Sequence, residues 1–310
     1  MSEGRPIAWI LNLDAEHELE SGRGYSPTAR LREIVALQSR QLLGSLVGPL
    51  DRVLTLETVE SGEAEGYEGR AWLPTRRALR ALEKAGARLS AAPSQETLEQ
   101  VNQRPFAAAL HEELREASPA KRLARNLDAC LRLLAEPAPL GWLVRRTFGA
   151  AGRGRRRLHA GTPSPDETRW LVAGLRRGPL VVEPWVRVTR EFTRSGWVAR
   201  DGSVHVARPC LQRTTDSGAW ISTRPASSAE RDREDDARLE ESCARAGEAL
   251  ATAGYFGPFG IDAFRHDAGP GTKERLNPLS EINARYTMDW TTGMTTRPDL
   301  AETEETDDNA

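Results

Sequence analysis

The strongest constraint on the fold sits late in the chain, in Gly260-Ile261-Asp262-Ala263-Phe264-Arg265 and Leu279-Ser280-Glu281-Ile282-Asn283-Ala284-Arg285. Both segments read as short strands, and the stretch between them is rich in Gly, Pro and Asn. Successive strand side chains point to opposite faces, so Glu281 and Asn283 share a face while Ile282 points into the core. Antiparallel pairing brings Asp262 opposite them. Two carboxylates and one amide oxygen then converge, a hard all-oxygen set suited to Mg²⁺ held with waters and nucleotide phosphates. A polar strand pair at a sheet edge has the same residue pattern, and spacing leaves both readings open.

At 310 residues the chain is long enough for two or three packed lobes. A net charge of −2 gives the whole molecule no strong field for nucleic acid or membrane. Only three lysines occur (Lys84, Lys121, Lys273), so few candidates exist for a phosphate-binding lysine. Cys130, Cys210 and Cys243 are isolated and odd in number, which argues for a reducing compartment. No signal peptide or run of about 18 apolar residues is visible, so the cytoplasm is the expected location.

In chain order, residues 7–13 read as a buried strand and residues 14–20 as an acidic loop. Apolar spacing predicts a helix over 28–43, then strands at 51–56 and 71–73. A helix at 75–85 ends at Gly86, a strand follows at 88–92, and Ser94 caps a helix to about 103. This alternation predicts an open α/β domain with parallel pairing. No glycine-rich dinucleotide fingerprint follows the first strand. Helices are predicted at 106–116 and 118–136, and Pro137-Ala138-Pro139 reads as a boundary. Strands at 141–146 and 155–158 flank a glycine run, a helix covers 165–175, and a strand at 180–183 ends at Pro184. Asp201-Gly202 marks a hairpin between 190–200 and 203–208. Residues 229–253 form a long charged helix with an apolar stripe of Leu239, Cys243, Ala246 and Leu250. From Thr296 the tail is acidic, poor in apolar residues and expected to be disordered.

The run Gly149-Ala150-Ala151-Gly152-Arg153-Gly154 lies between two strands and lacks the Lys-Ser/Thr pair of a P-loop. A strand, loop and strand with Gly149, Gly152 and Gly154 suits a flap whose backbone N–H groups close over phosphates. Arg145, Arg146 and Arg153 can add charge-assisted bonds. A mobile hairpin with a solvated basic rim fits the same residues. Glu183-Pro184-Trp185-Val186 ends the next strand, and the main chain at Glu183 and Val186 can partner a nucleotide base. Glu191 is within reach of a ribose hydroxyl. The five histidines show no metal spacing, and no GxSxG occurs.

Taken together, these pieces resemble the ATP-grasp superfamily: strand, glycine flap, base-binding strand end, Asp262 on a strand, then Glu281-x-Asn283-x-Arg285. The resemblance covers residues 118–296. It implies an α/β plus α+β fold: a leading α/β lobe (1–117), a central lobe with the flap (118–186) and a C-terminal lobe with the metal site (187–296), before the tail (297–310). It implies ATP held between two lobes, Mg²⁺ on Asp262, Glu281 and Asn283, and Arg285 as a clamp for γ-phosphate or an activated carboxylate. The activity implied is a ligase that activates a carboxylate as an acyl phosphate for attack by an amine or similar nucleophile. One departure stands out. The family's lysine before the flap is replaced by Arg145-Arg146, and arginine differs from lysine in reach and geometry. Lys121 lies near where a second family lysine sits. A nucleotide-binding sensor or scaffold without turnover is the alternative. A homodimer stays open, and substrate identity is not spelled out.

Overall fold

The structure is a computed structural model and describes residues 5–114, 119–149, 153–215, 220–267, 273–296 and 298–301. Its first sheet is built from β1 (Ile7–Ile10), β2 (Arg52–Leu54), β3 (Glu68–Ala71) and β4 (Arg88–Leu89), in the order β2-β1-β3-β4 and parallel throughout. Parallel pairing needs crossovers, and the chain supplies α1 (Ala15–Ser21), α2 (Ala29–Ser39) and α3 (Arg76–Lys84) between the strands. Thr28 and Thr75 cap α2 and α3 through their side chains. Gly86, just past α3, has φ 77°, the left-handed turn that glycine makes cheaply.

The acidic segment 14–20, expected as a loop, is largely helix α1. Ala15 and Leu19, one turn apart, are buried, and Glu16 and Glu18 sit in its first turn, where carboxylates favour the helix dipole. Next come α4 (Gln95–Val101) and α5 (Arg104–Glu113), which pack the first lobe onto the rest.

The second sheet runs β5-β8-β6-β7, from β5 (Arg122–Ala124), α6 (Leu127–Ala135), β6 (Trp142–Arg145), β7 (Arg155–Leu158), α7 (Pro165–Leu175) and β8 (Leu180–Pro184). The single helix expected over 118–136 is corrected to β5 plus α6, and Ser118 lies outside the described residues. A three-residue strand at a sheet edge carries little local signal, and β5 is held by pairing with β8. That pairing also places Pro137-Ala138-Pro139 inside this layer, not at a boundary. Trp142, Val144, Leu158, Leu180 and Val182 turn one face onto Leu134 and Leu171 of α6 and α7.

The third sheet, β12-β11-β9-β13-β14 with β10 beside β9, is antiparallel. Its strands are β9 (Arg187–Val198), β10 (Val204–Val206), β11 (Cys210–Thr214), β12 (Trp220–Pro225), β13 (Gly257–Asp267) and β14 (Arg275–Asn283). Asp201 Oδ1 accepts from Ser203 N at 2.8 Å and Gly202 takes φ 87°, closing the β9–β10 hairpin. Helix α8 (Arg233–Thr252) lays Leu239, Cys243, Ala246 and Leu250 across the sheet, all buried.

Gly196 on β9 faces Phe259 on β13, and a Cβ there would lie 2.4 Å from the ring. Gly196→Ala is expected to destabilise by ~1–3 kcal/mol through overpacking, read as a lowered denaturation midpoint at constant slope.

The short helices α9 (Trp290–Gly293) and α10 (Pro298–Ala301) follow. The start of the expected disordered tail is therefore ordered. Asp299 is buried and pairs with Arg70 at 2.9 Å. Residues 302–310 lie outside the described residues. Among the described residues no helix is long and apolar enough to cross a membrane.

Candidate functional site

A cleft of about 1140 Å³ opens between the second and third sheets. Alternation along β6, β7 and β8 puts Leu143, Arg145, Arg155, Arg157 and Glu183 on its wall. The opposite wall carries Glu191, Phe264, Asp262, Glu281 and Asn283, with Arg285 and Asp289 beyond them.

Asp262 pairs directly with Glu281 across β13 and β14, and Gly260 pairs with Asn283. Directly paired residues hold their Cβ atoms about 4.5–5.5 Å apart. Asn283 Nδ2 donates to Asp262 Oδ2 at 3.1 Å, so the three side chains form one cluster. Burial pushes the Asp262 carboxyl up to about 7, helped by nearby Glu281 and Asp289. Burial would raise Glu281 too, but Arg104, Arg145 and Lys121 outweigh it and hold that carboxyl at about 2.

Both arginines bind one oxygen: Arg104 Nε donates to Glu281 Oε1 at 3.0 Å and Arg145 Nη1 donates to it at 2.5 Å. Oε2 of Glu281 and Oδ1 of Asp262 make no hydrogen bond among the described residues. Two carboxylate oxygens without a hydrogen bond among the described residues, beside an amide, are a donor set that fits Mg²⁺. Asn283 Oδ1 accepts from Arg285 at 3.0 Å, so its use as a ligand requires that bond to yield.

The cations are distributed differently from the sequence reading. Arg145 is buried and lies 2.6 Å from Glu183 Oε1, so its charge serves Glu183 and Glu281. Arg146 stacks over the Trp170 ring at 4.6 Å and does not line the cleft. Arg153 is exposed and off the cleft wall. Gly149 lines the cleft, Gly154 stands behind it, and Gly152 lies outside the described residues.

Arg155 was not singled out by sequence. It faces Arg145 across the β6–β7 pair, half-buried, and has no hydrogen bond or ion pair among the described residues. Val186 and the Glu183 main chain sit at the rim with Trp185, over which Arg157 stacks at 5.0 Å. Glu191 lines the wall, but its carboxylate accepts from Thr214 N and Oγ1 at 3.0 and 2.8 Å.

Three more residues enter from elements the sequence reading had placed elsewhere. Lys121, just before β5, is buried and donates to Leu279 O at 2.9 Å and Ser280 O at 2.5 Å. Burial lowers its ammonium to about 8, with Glu183 pulling the other way. Glu16, on α1, pairs with Arg285. Arg104 opens α5 and reaches Glu281.

No protein-family model matches the chain, and no curated protein matches it in sequence. Solved structures do. N5-carboxyaminoimidazole synthetase from Staphylococcus aureus, complexed with ADP, superposes with a TM-score of 0.51 at 10% identity, over 93% of this chain and 72% of that one. N5-carboxyaminoimidazole ribonucleotide synthetase from Thermus thermophilus gives 0.50 at 16% identity, over 91% and 71%. Pyruvate carboxylase from Rhizobium etli gives 0.53 at 12% identity, over 93% of this chain and 27% of that one. The fold is ATP-grasp. At these identities the likeness is one of fold. Within the ATP-grasp fold, the β6–β7 hairpin and the β13–β14 pair form the two walls that face each other across the cleft.

Proposed function

We propose that the chain is an ATP- and Mg²⁺-dependent ligase that joins a carboxylate to an amine or similar nucleophile. The observation that carries this is the placing of Asp262, Glu281 and Asn283 opposite Arg155 across one cleft. A Mg²⁺–triphosphate bridging the walls would set its cation against the carboxylates and its anionic oxygens against Arg155. In the reaction class proposed, a carboxylate oxygen takes the γ-phosphoryl group and ADP leaves. The amine then attacks the acyl carbon and phosphate leaves.

Bound at Asp262, Glu281 and Asn283, Mg²⁺ would offset charge on the transferring group. Arg155 supplies a cation for the phosphate chain. The Trp185 and Val186 rim takes the base, and Glu191 stands where a ribose hydroxyl can displace Thr214. Arg285, stacked on Trp72 at 5.5 Å, aligns the carboxylate beside Asn283. Binding without turnover is the second reading, favoured by the way Arg145 is engaged by Glu183 and Glu281.

Adding ADP and Mg²⁺ at about 100 times the dissociation constant is expected to stabilise the protein by ~2.7 kcal/mol. A thermal-shift series with ATP, ADP, GTP and NAD, with and without Mg²⁺, reads this directly. No shift with any nucleotide would remove the proposal. Phosphate release on adding paired acids and amines separates ligase from binder.

A further inference from the structure

Arg104 is the first residue of α5, in the N-terminal lobe, yet its guanidinium is spent entirely on the other two sheets. Nε donates to Glu281 Oε1 at 3.0 Å. One terminal nitrogen reaches the carbonyls of Arg146, Phe148 and Gly154 at 3.2, 3.4 and 3.3 Å. The other reaches those of Gly149 and Arg153 at 3.1 and 3.3 Å. A guanidinium has five N–H donors, and here all three nitrogens are engaged in a group only 9% exposed. The backbone is tied in as well, since Arg104 N donates to Thr147 O at 2.9 Å.

The glycines of the hairpin show how tightly this is built. A Cβ on Gly149 would lie 2.8 and 2.9 Å from the two terminal nitrogens of Arg104 and 2.4 Å from Arg153 O. A Cβ on Gly154 would lie 2.7 Å from Phe148 O and 3.4 Å from the same guanidinium. These two glycines are needed because carbonyls from both arms of the hairpin converge on a buried cation.

We infer that Arg104 is a positioning residue for the metal ligand Glu281, fixing that carboxylate and the β6–β7 hairpin in one mutual arrangement. This rests on the nucleotide and Mg²⁺ reading given above. Arg104 takes Oε1 and leaves Oε2 for the cation. With the carboxylate anchored at one oxygen, it cannot swing away along its flexible side chain. The five carbonyl bonds fix the guanidinium in turn, so the anchor is itself rigid. Outer-shell partners of a metal ligand act in this way and matter nearly as much as the ligand.

The test is ADP affinity by calorimetry in Mg²⁺ and in EDTA, for wild type, Arg104→Ala and Arg104→Lys. The quantity read is the factor by which Mg²⁺ tightens ADP binding. If Arg104 orients Glu281, both variants lose about 10- to 100-fold of that factor. A role confined to holding the hairpin would weaken ADP equally with and without Mg²⁺ and leave the factor unchanged, which overturns the inference. Arg104→Lys keeps the charge and is expected to stay folded should Arg104→Ala not. A wild type that binds no ADP in either condition would sink the nucleotide reading and this inference with it. A wild type that binds, with the factor preserved in Arg104→Lys, would sink the inference alone.

Discussion

Replacing Glu281 by glutamine is expected to abolish the gain in nucleotide affinity that Mg²⁺ confers. The loss should exceed the roughly 10- to 100-fold typical of an outer-shell partner, because Glu281 is proposed as a ligand itself. The substitution keeps the side chain's shape and an oxygen for Arg104 and Arg145, which both bond Oε1. Arg145 also retains Glu183 at 2.6 Å. The fold is therefore expected to survive, and circular dichroism and the unfolding midpoint check that. Glutamine removes the formal charge at Oε2, and a neutral amide cannot replace a carboxylate opposite Asp262. An unchanged ratio of affinities with and without Mg²⁺ would refute the assignment of the metal to these strands.

The second large effect is on stability. Arg145→Ala removes the cation beside Glu183, whose side chain is 2% exposed. Among the described residues neither Glu183 carboxylate oxygen has a hydrogen-bond donor, so Arg145 stabilises it through charge at close range. Removing one partner of a buried pair typically costs ~3–5 kcal/mol, because the remaining charge is left uncompensated. Arg145→Ala is expected to fall in that range by chemical denaturation. Glu281 is cushioned, since Arg104 still holds it. Replacing both members, as Arg145→Met with Glu183→Leu, should recover most of the loss. A loss under about 1 kcal/mol for the single variant would show that water or Lys121 carries the charge instead.

Where chemistry is local, it was legible in the sequence. The turn at Asp201-Gly202, the capped helix at Pro165–Leu175 and the paired strands around Asp262 and Glu281 follow from period, capping and breaker residues. The cleft-wall faces follow from alternation once the strands are known. The residues missed share another character. Arg104 meets Glu281 across 177 positions, and its setting, Gln103-Arg104-Pro105, reads as a solvated helix start. Glu16 pairs with Arg285 across 269 positions, and it sat in a segment read as loop. Lys121 is named by the resemblance, but its element reads as helix because β5 has only three residues and no period of its own. Burial of these charges is decided by partners that lie on other lobes, which no window of sequence contains.

Arg70 lies on β3 in the first sheet, and its partners include Glu68 at 3.0 Å and Asp299 at 2.9 Å. Tyr286 also donates to Asp299, at 3.2 Å. A ribosome delivers this sheet early and Asp299 some 229 positions later. Arg70 thus joins the first sheet to the far end of the described chain, and removing Asp299 would leave that buried cation short of one of its two carboxylate partners.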